Sequence, residues 1–244
     1  MNIALYLGAA AMGTLERWQE SIASNIAASS TPGYRKEEVG FSVTPSGSIA
    51  TGAARGASSA ISFPTVQHTV NFTPGQIVGT GRDLDVAIQG DGFFEVQLPD
   101  GTRGYTRSGS FYTNSDRQLV DAQGRQVSGE GGSGIQLLPE GGAVNIARDG
   151  TITQGGQPIG RLAVYQFDNP QTLQAVSGGL FLAGSEAPHA LEQPSLEQGS
   201  LETSNVQPVG EMVNLIRASR AYEAAQKVIT SRDDTMDKTI RTFS

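Results

Sequence analysis

The sequence predicts an α+β chain: N- and C-terminal helices pairing as a coiled-coil-like module, with a central all-β domain, a sandwich or irregular barrel. Three observations lead there. Apolar or small residues recur at heptad spacing near both ends, and the middle alternates short apolar runs with turns rich in Gly, Asn and Asp. Glycine supplies 31 of the 244 residues, about 13% against a usual ~7%. That excess reads as turn chemistry.

The first helix is read from Leu5, Gly8, Met12, Leu15, Gln19, Ile22 and Ile26, of which all but Gln19 are apolar or small. The spacing places them on one face and predicts a helix over residues 3–28. Ser29, Ser30, Thr31, Pro32 and Gly33 stop it, because proline cannot continue the hydrogen-bond ladder. Pro32 suits the second position of a type II turn, and Gly33 then supplies the positive φ that follows. Residues 44–62 are small and polar and read as a linker or loosely ordered arm.

The middle reads as strands. Residues 85–89 (DVAIQ) and 93–98 (FFEVQL) flank Gly90-Asp91-Gly92, a hairpin signal. Further strands are expected at 104–107, 110–113, 118–120, 134–138, 143–147, 151–153 and 161–167, with Phe93, Phe94, Tyr105, Phe111 and Tyr165 as their core. The chain closes on a second heptad stripe, Leu215, Tyr222, Ile229 and Met236, with Ala218 and Ala225 between them. Val209, Met212, Ile216 and Ile240 widen that stripe, and Ser204 with Gln207 has capping-box spacing ahead of Pro208. The predicted helix covers 206–241. Either stripe alone fits packing inside an ordinary domain, but two of them at opposite ends of a β-rich middle can pair and still offer faces to other chains.

Composition removes most enzyme chemistry. The chain has no cysteine and only two histidines, and the charge of −7 resides in residues 46–204, which hold 8 basic and 15 acidic side chains. An acidic middle disfavours nucleic acid. No apolar run reaches the ~18 residues of a membrane span, and the N-terminus lacks the basic region of a Sec signal peptide. Gly129, Gly131 and Gly134 spell G-x-G-x-x-G, but a strand-like run follows where a dinucleotide site needs a helix. A hydrolase using Asp83 and Asp85 would need an acid and a base in one cleft, and nothing in the sequence assembles such a constellation. No catalytic group, metal, cofactor or small-molecule substrate is expected. The competing class is a stand-alone β-domain binding module, which leaves both helices unexplained.

Three segments resemble the flagellar basal-body rod and hook protein family. They are Asn25-Ile26-Ala27 through Thr31-Pro32-Gly33-Tyr34; Thr73-Pro74-Gly75-Gln76 followed by 84–88, Gly92-Phe93-Phe94 and Tyr105-Thr106-Arg107-Ser108-Gly109; and 198–206 (QGSLETSNV) followed by Met212-Val213 and Arg220-Ala221-Tyr222-Glu223. Ala28 stands where the family usually has a second asparagine. The resemblance implies a structural subunit of the periplasmic rod, or a neighbouring distal-rod subunit, since a hook protein is much longer. It implies export by the flagellar type III apparatus without a cleaved signal. The partners implied are copies of itself and other rod proteins, with terminal helices inside and the β domain outside. The expected organisation is 1–32 plus 205–244 as the assembly module, 33–74 as linker or arm, and 75–204 as the outer domain. Assembly is expected to rest on Leu15, Ile22, Asn25, Ile26, Pro32, Gly33, Leu215, Tyr222, Ile229 and Met236.

Overall fold

Two long helices bracket a strand-rich middle, as the periodicity requires: α1 (Ile3–Ala27) and α2 (Pro208–Thr242). The computed structural model describes residues 3–50, 58–139, 141–184 and 186–242. The chain forms two compact units, the first from residues 1–27, 37–69 and 207–244, the second from 28–36 and 70–206.

In the first unit α1 and α2 lie against each other. A methyl group at Gly8 would sit 2.9 Å from Ile229 Cγ1, and Gln19 Nε2 donates to Ser219 Oγ at 3.4 Å. Moving from Gly8 to Gln19 on one helix moves from Ile229 back to Ser219 on the other, so they run antiparallel. Within the stretch read as linker or arm, β1 (Glu37–Ala50) and β2 (Ser58–Val70) pair as a two-stranded sheet, and residues 51–57 between them lie outside the described residues. Ser42 and Thr65 hydroxyls meet at 2.8 Å, and Thr69 Oγ1 donates to Glu38 O at 3.4 Å, in one antiparallel register. Trp18 of α1 meets Phe41 of β1 edge to face at 5.6 Å between ring centres.

In the second unit the largest sheet is nine-stranded and includes β5 (Phe93–Gln97) and β6 (Arg103–Thr106). These pair antiparallel, Phe94 opposite Thr106 and Val96 opposite Gly104, and β5 also takes residues 126–127 and 164–165 as partners. Two short strands, β3 (Ile77–Gly79) and β4 (Val86–Ile88), pair outside that sheet with Ser200–Glu202 and Leu196–Gln198. The described strands close no barrel. The hairpin expected across Gly90-Asp91-Gly92 is not formed, since β4 joins Leu196–Gln198 while β5 joins β6. The reason is local. Both turn glycines have positive φ, and their carbonyls turn onto Arg107 Nη1 at 2.9 and 2.6 Å rather than into a ladder.

Val86, Ile88, Phe94, Val96, Phe111, Leu119 and Val127 build one core, and Phe93, Tyr105, Phe167, Leu173 and Phe181 a second, aromatic one that Tyr165 flanks half-buried. Glu130–Gly132 is a single 3-10 turn, and Gly134 bridges Ser128, so the glycine-rich run opens no helix at a phosphate site. Asp85 is buried on Thr80 Oγ1 (2.7 Å) while Asp83 is exposed. Truncating Phe94, which has no exposed surface, to alanine should cost about 3–5 kcal/mol in chemical denaturation of the full chain. The Val176→Ala change, at a site 40% exposed, should stay within about 0.5 kcal/mol.

Candidate assembly interface

The helix stripes divide into an inner and an outer set. Ile22 and Ala218 are buried, while Leu15, Ile26, Leu215, Tyr222 and Ile229 are half-buried. Met236 lies on α2 but falls outside the described side chains. Arg217, Arg220, Glu223 and Lys227 are exposed. A second apolar row stands open on α2: Val209 (76% exposed), Met212 (52%), Val213 (44%) and Ile216 (54%), with Val228 (63%) further on. The first four have i, i+3, i+4, i+7 spacing, one face of a helix.

Each helix is tied at its β-side end by side chains that imitate backbone. Asn25, buried, accepts from Glu37 N through Oδ1 at 2.9 Å and donates to Glu37 O through Nδ2 at 2.8 Å, which fixes the first residue of β1. After α1, Tyr34 N donates to Thr31 O at 3.3 Å across half-buried Pro32, and Gly33 holds φ 69°. A Cβ at Gly33 would lie 2.4 Å from the Arg107 carbonyl carbon and 2.5 Å from Ser108 N, so the backbone itself packs there. Before α2, Ser204 Oγ accepts from Val206 N at 3.1 Å instead of closing a capping box, and the Gln207 carbonyl takes the Glu211 amide at 3.0 Å.

Within the second unit these segments meet at Glu202. Its carboxylate accepts from Arg35 Nη2 (2.6 Å), from Arg107 Nε (2.8 Å) and Nη2 (2.6 Å), and from Gly75 N (2.8 Å), while its carbonyl accepts from Gly33 N (2.7 Å). The side chains of Arg35, Arg107 and Glu202 are at most 3% exposed. Burial pulls the Arg35 guanidinium below its usual value, against the attraction of Glu202, and Arg107 adds repulsion. Asn205 makes a second knot: Oδ1 accepts from Lys36 N (2.7 Å), and Nδ2 donates to Asn71 O and Thr73 O (2.8 and 2.9 Å).

Pattern reading missed Arg35 and gave no role to Arg107, Glu202 or Asn205. The signal was present in the quoted segments, because Thr-Pro-Gly-Tyr, Thr-Pro-Gly-Gln, Arg-Ser-Gly and Glu-Thr-Ser-Asn are the four pieces that touch here. No spacing rule says that residues 35, 107 and 202 are neighbours.

A helix pair with an open apolar row on α2, and a β unit held by a buried ionic knot, are features of a structural, assembling class of protein. Residues 87–154 match the family described as "Flagellar hook protein FlgE/F/G D1 domain", and residues 197–242 match "Flagellar basal body rod FlgEFG protein C-terminal". The flagellar basal-body rod protein FlgF of Caulobacter vibrioides is 35% identical, covering 94% of this chain and 93% of the relative. FlgF of Salmonella typhimurium is 36% identical over 96% and 95%, and the rod protein FlgG of Bacillus subtilis 30% identical over 97% of each. The chain belongs to the flagellar basal-body rod protein family and is FlgF-like within it.

Two variants test the knot. Glu202→Gln leaves two buried guanidiniums without a counter-charge and should cost about 3–5 kcal/mol, read as a lowered denaturation midpoint. Gly33→Ala drives a methyl into the Arg107–Ser108 backbone and adds left-handed strain, a loss of about 1–3 kcal/mol or more. A Gly33→Ala melt equal to wild type would show that the close approach is not a constraint.

Proposed function

We propose that this chain is built into the axial rod of the flagellar basal body through its terminal helices, beside copies of itself and other rod proteins, and helps carry torque. The observation that carries the reading is the open row on α2, Val209, Met212, Val213 and Ile216, four apolar side chains on one helical face with more than two-fifths of each exposed. An isolated soluble domain gains nothing from such a row, whereas a helical stack buries it in every subunit. Each such residue fully covered contributes roughly 1.5–3 kcal/mol, and stiffness follows from the sum over many interfaces.

Further parts of the reading follow from family membership. Residues 1–32 and 205–244 form the assembly module, 33–74 an arm, and 75–204 the outer domain. Asn25, Pro32 and Gly33 set where the chain leaves α1, and Leu15, Ile22, Ile26, Leu215, Tyr222, Ile229 and Met236 form the helical seam. The rod lies in the periplasm, and the subunit reaches it through the flagellar export apparatus with no cleaved signal. As a structural subunit it turns over no substrate.

The inner and outer rows separate subunit stability from assembly. Ile216→Asp places a carboxylate at a site 54% exposed in the free subunit, so the monomer melt should move by no more than about 0.5 kcal/mol. Incorporation into basal bodies purified from a strain carrying only the variant should be lost. Ile229→Asp faces α1 near Gly8 and should destabilise the helix pair of the monomer as well. Normal incorporation of Ile216→Asp would overturn the assembly role of the open row.

A further inference from the structure

The first unit leaves an apolar face open on β1 as well as on α2. Side chains alternate along a strand, so Glu37, Val39, Phe41 and Val43 share one face of β1. Phe41 is 53% exposed and Val43 70%, since Trp18 meets Phe41 only edge to face. The pairing of Ser42 with Thr65 and of Glu38 with Thr69 sets half-buried Val66 across from Phe41 on the same face. We propose that this β1 face of one copy covers the α2 row of a second copy, with Glu37 of the first opposite Arg220 of the second.

Spacing and charge carry the match. On α2 the row runs from Val209 through Met212, Val213 and Ile216, and exposed Arg220 continues it one turn beyond Ile216. At 1.5 Å per residue, Val209 lies ~6 Å before Val213 and Arg220 ~11 Å after it. At about 3.3 Å per residue, Val43 lies ~7 Å from Phe41 on one side and Glu37 ~13 Å on the other. With Phe41 seated on Val213, Val43 therefore covers Val209 and the Glu37 carboxylate reaches the Arg220 guanidinium. Neither Glu37 nor Arg220 has an ion pair among the described residues. The reverse direction would carry the Glu37 charge past the apolar end of the row, away from Arg220. Joining two unlike faces is a head-to-tail contact, which continues from copy to copy, whereas row against row would stop at a pair. The pairing rests on the assembly reading above for its setting in the rod.

The test puts the photo-reactive amino acid p-benzoylphenylalanine in place of Phe41 in the full-length chain. Equal amounts of ¹⁴N- and ¹⁵N-labelled chain are irradiated together in concentrated solution, so that adducts between copies carry mixed isotopes. The same variant is irradiated in purified basal bodies. Mixed-isotope adducts are expected at residues 209–216, and the basal bodies should yield a product of twice the chain mass joined at the same residues. An adduct at other residues of the second copy, an adduct to a different protein in the basal bodies, or no adduct between copies in solution overturns the pairing. Arg220→Glu, at an exposed site, should lower the solution yield about two- to fivefold, the size of an exposed charge effect. An unchanged yield overturns the charge register. Adding Glu37→Arg to that variant should restore the yield, and a further loss in a subunit whose melt is unchanged overturns it too. Absence of the chain from rods counts against the assembly reading alone, because the adduct in solution still decides the pairing.

Discussion

Four stretches of chain far apart in sequence meet because one buried carboxylate, Glu202, has to be satisfied. Removing a carboxylate and two guanidiniums from water is expensive, and only close, multiply bonded geometry offsets it. Here Glu202 takes both arginines and the Gly75 amide on its side chain and the Gly33 amide on its carbonyl. The segment that leaves α1, the loop before β3 and the strand that leads to α2 are therefore fixed by a single residue. Asn205 repeats the device with neutral groups, joining Lys36, Asn71 and Thr73. Such bonds stabilise little net against water but cost much when half broken. Within the β unit, residues 33–36, 71–75 and 202–205 therefore keep one arrangement or lose it together.

That demand also explains much of the glycine. Turn chemistry accounts for the residues with positive φ, such as Gly90 and Gly92. It does not account for Gly75 or Gly109, whose φ lies outside the left-handed region. A Cβ at Gly75 would lie 1.9 Å from Thr203 O, and one at Gly109 would lie 1.7 Å from Val86 O. These positions are glycine because two backbones touch. At Gly33 both reasons hold at once.

What the sequence disclosed follows from how local the physics is. Both helices were legible to within two residues, because heptad spacing is a property of neighbours along the chain. Phe93, Phe94, Tyr105 and Phe111 were legible as core because large apolar residues in strand-forming runs have few other places to go. The pairing of β4 with Leu196–Gln198 instead of β5 was not legible, since strand partners more than a hundred residues apart leave no mark in either segment. The ionic knot was illegible for the same reason. Residues 44–62 read as a linker or loosely ordered arm because small polar side chains carry no packing pattern; residues 51–57 lie outside the described residues, and Ser42 meets Thr65 on either side of the stretch. The α2 stripe was read as one surface. It is two, with Ala218 inside and Ile216 outside only two positions earlier, because a helix turns through about 100° per residue.

The antiparallel contact between α1 and α2 joins residues 200 positions apart, Gln19 and Ser219. Closing so large a loop is entropically slow. The β unit, by contrast, is complete once residue 206 is available. Along a chain supplied from its N-terminus, α1 thus waits for α2 until the residues between them have been made. The helix pair is therefore the slower of the two units to close, and the β unit can fold ahead of it.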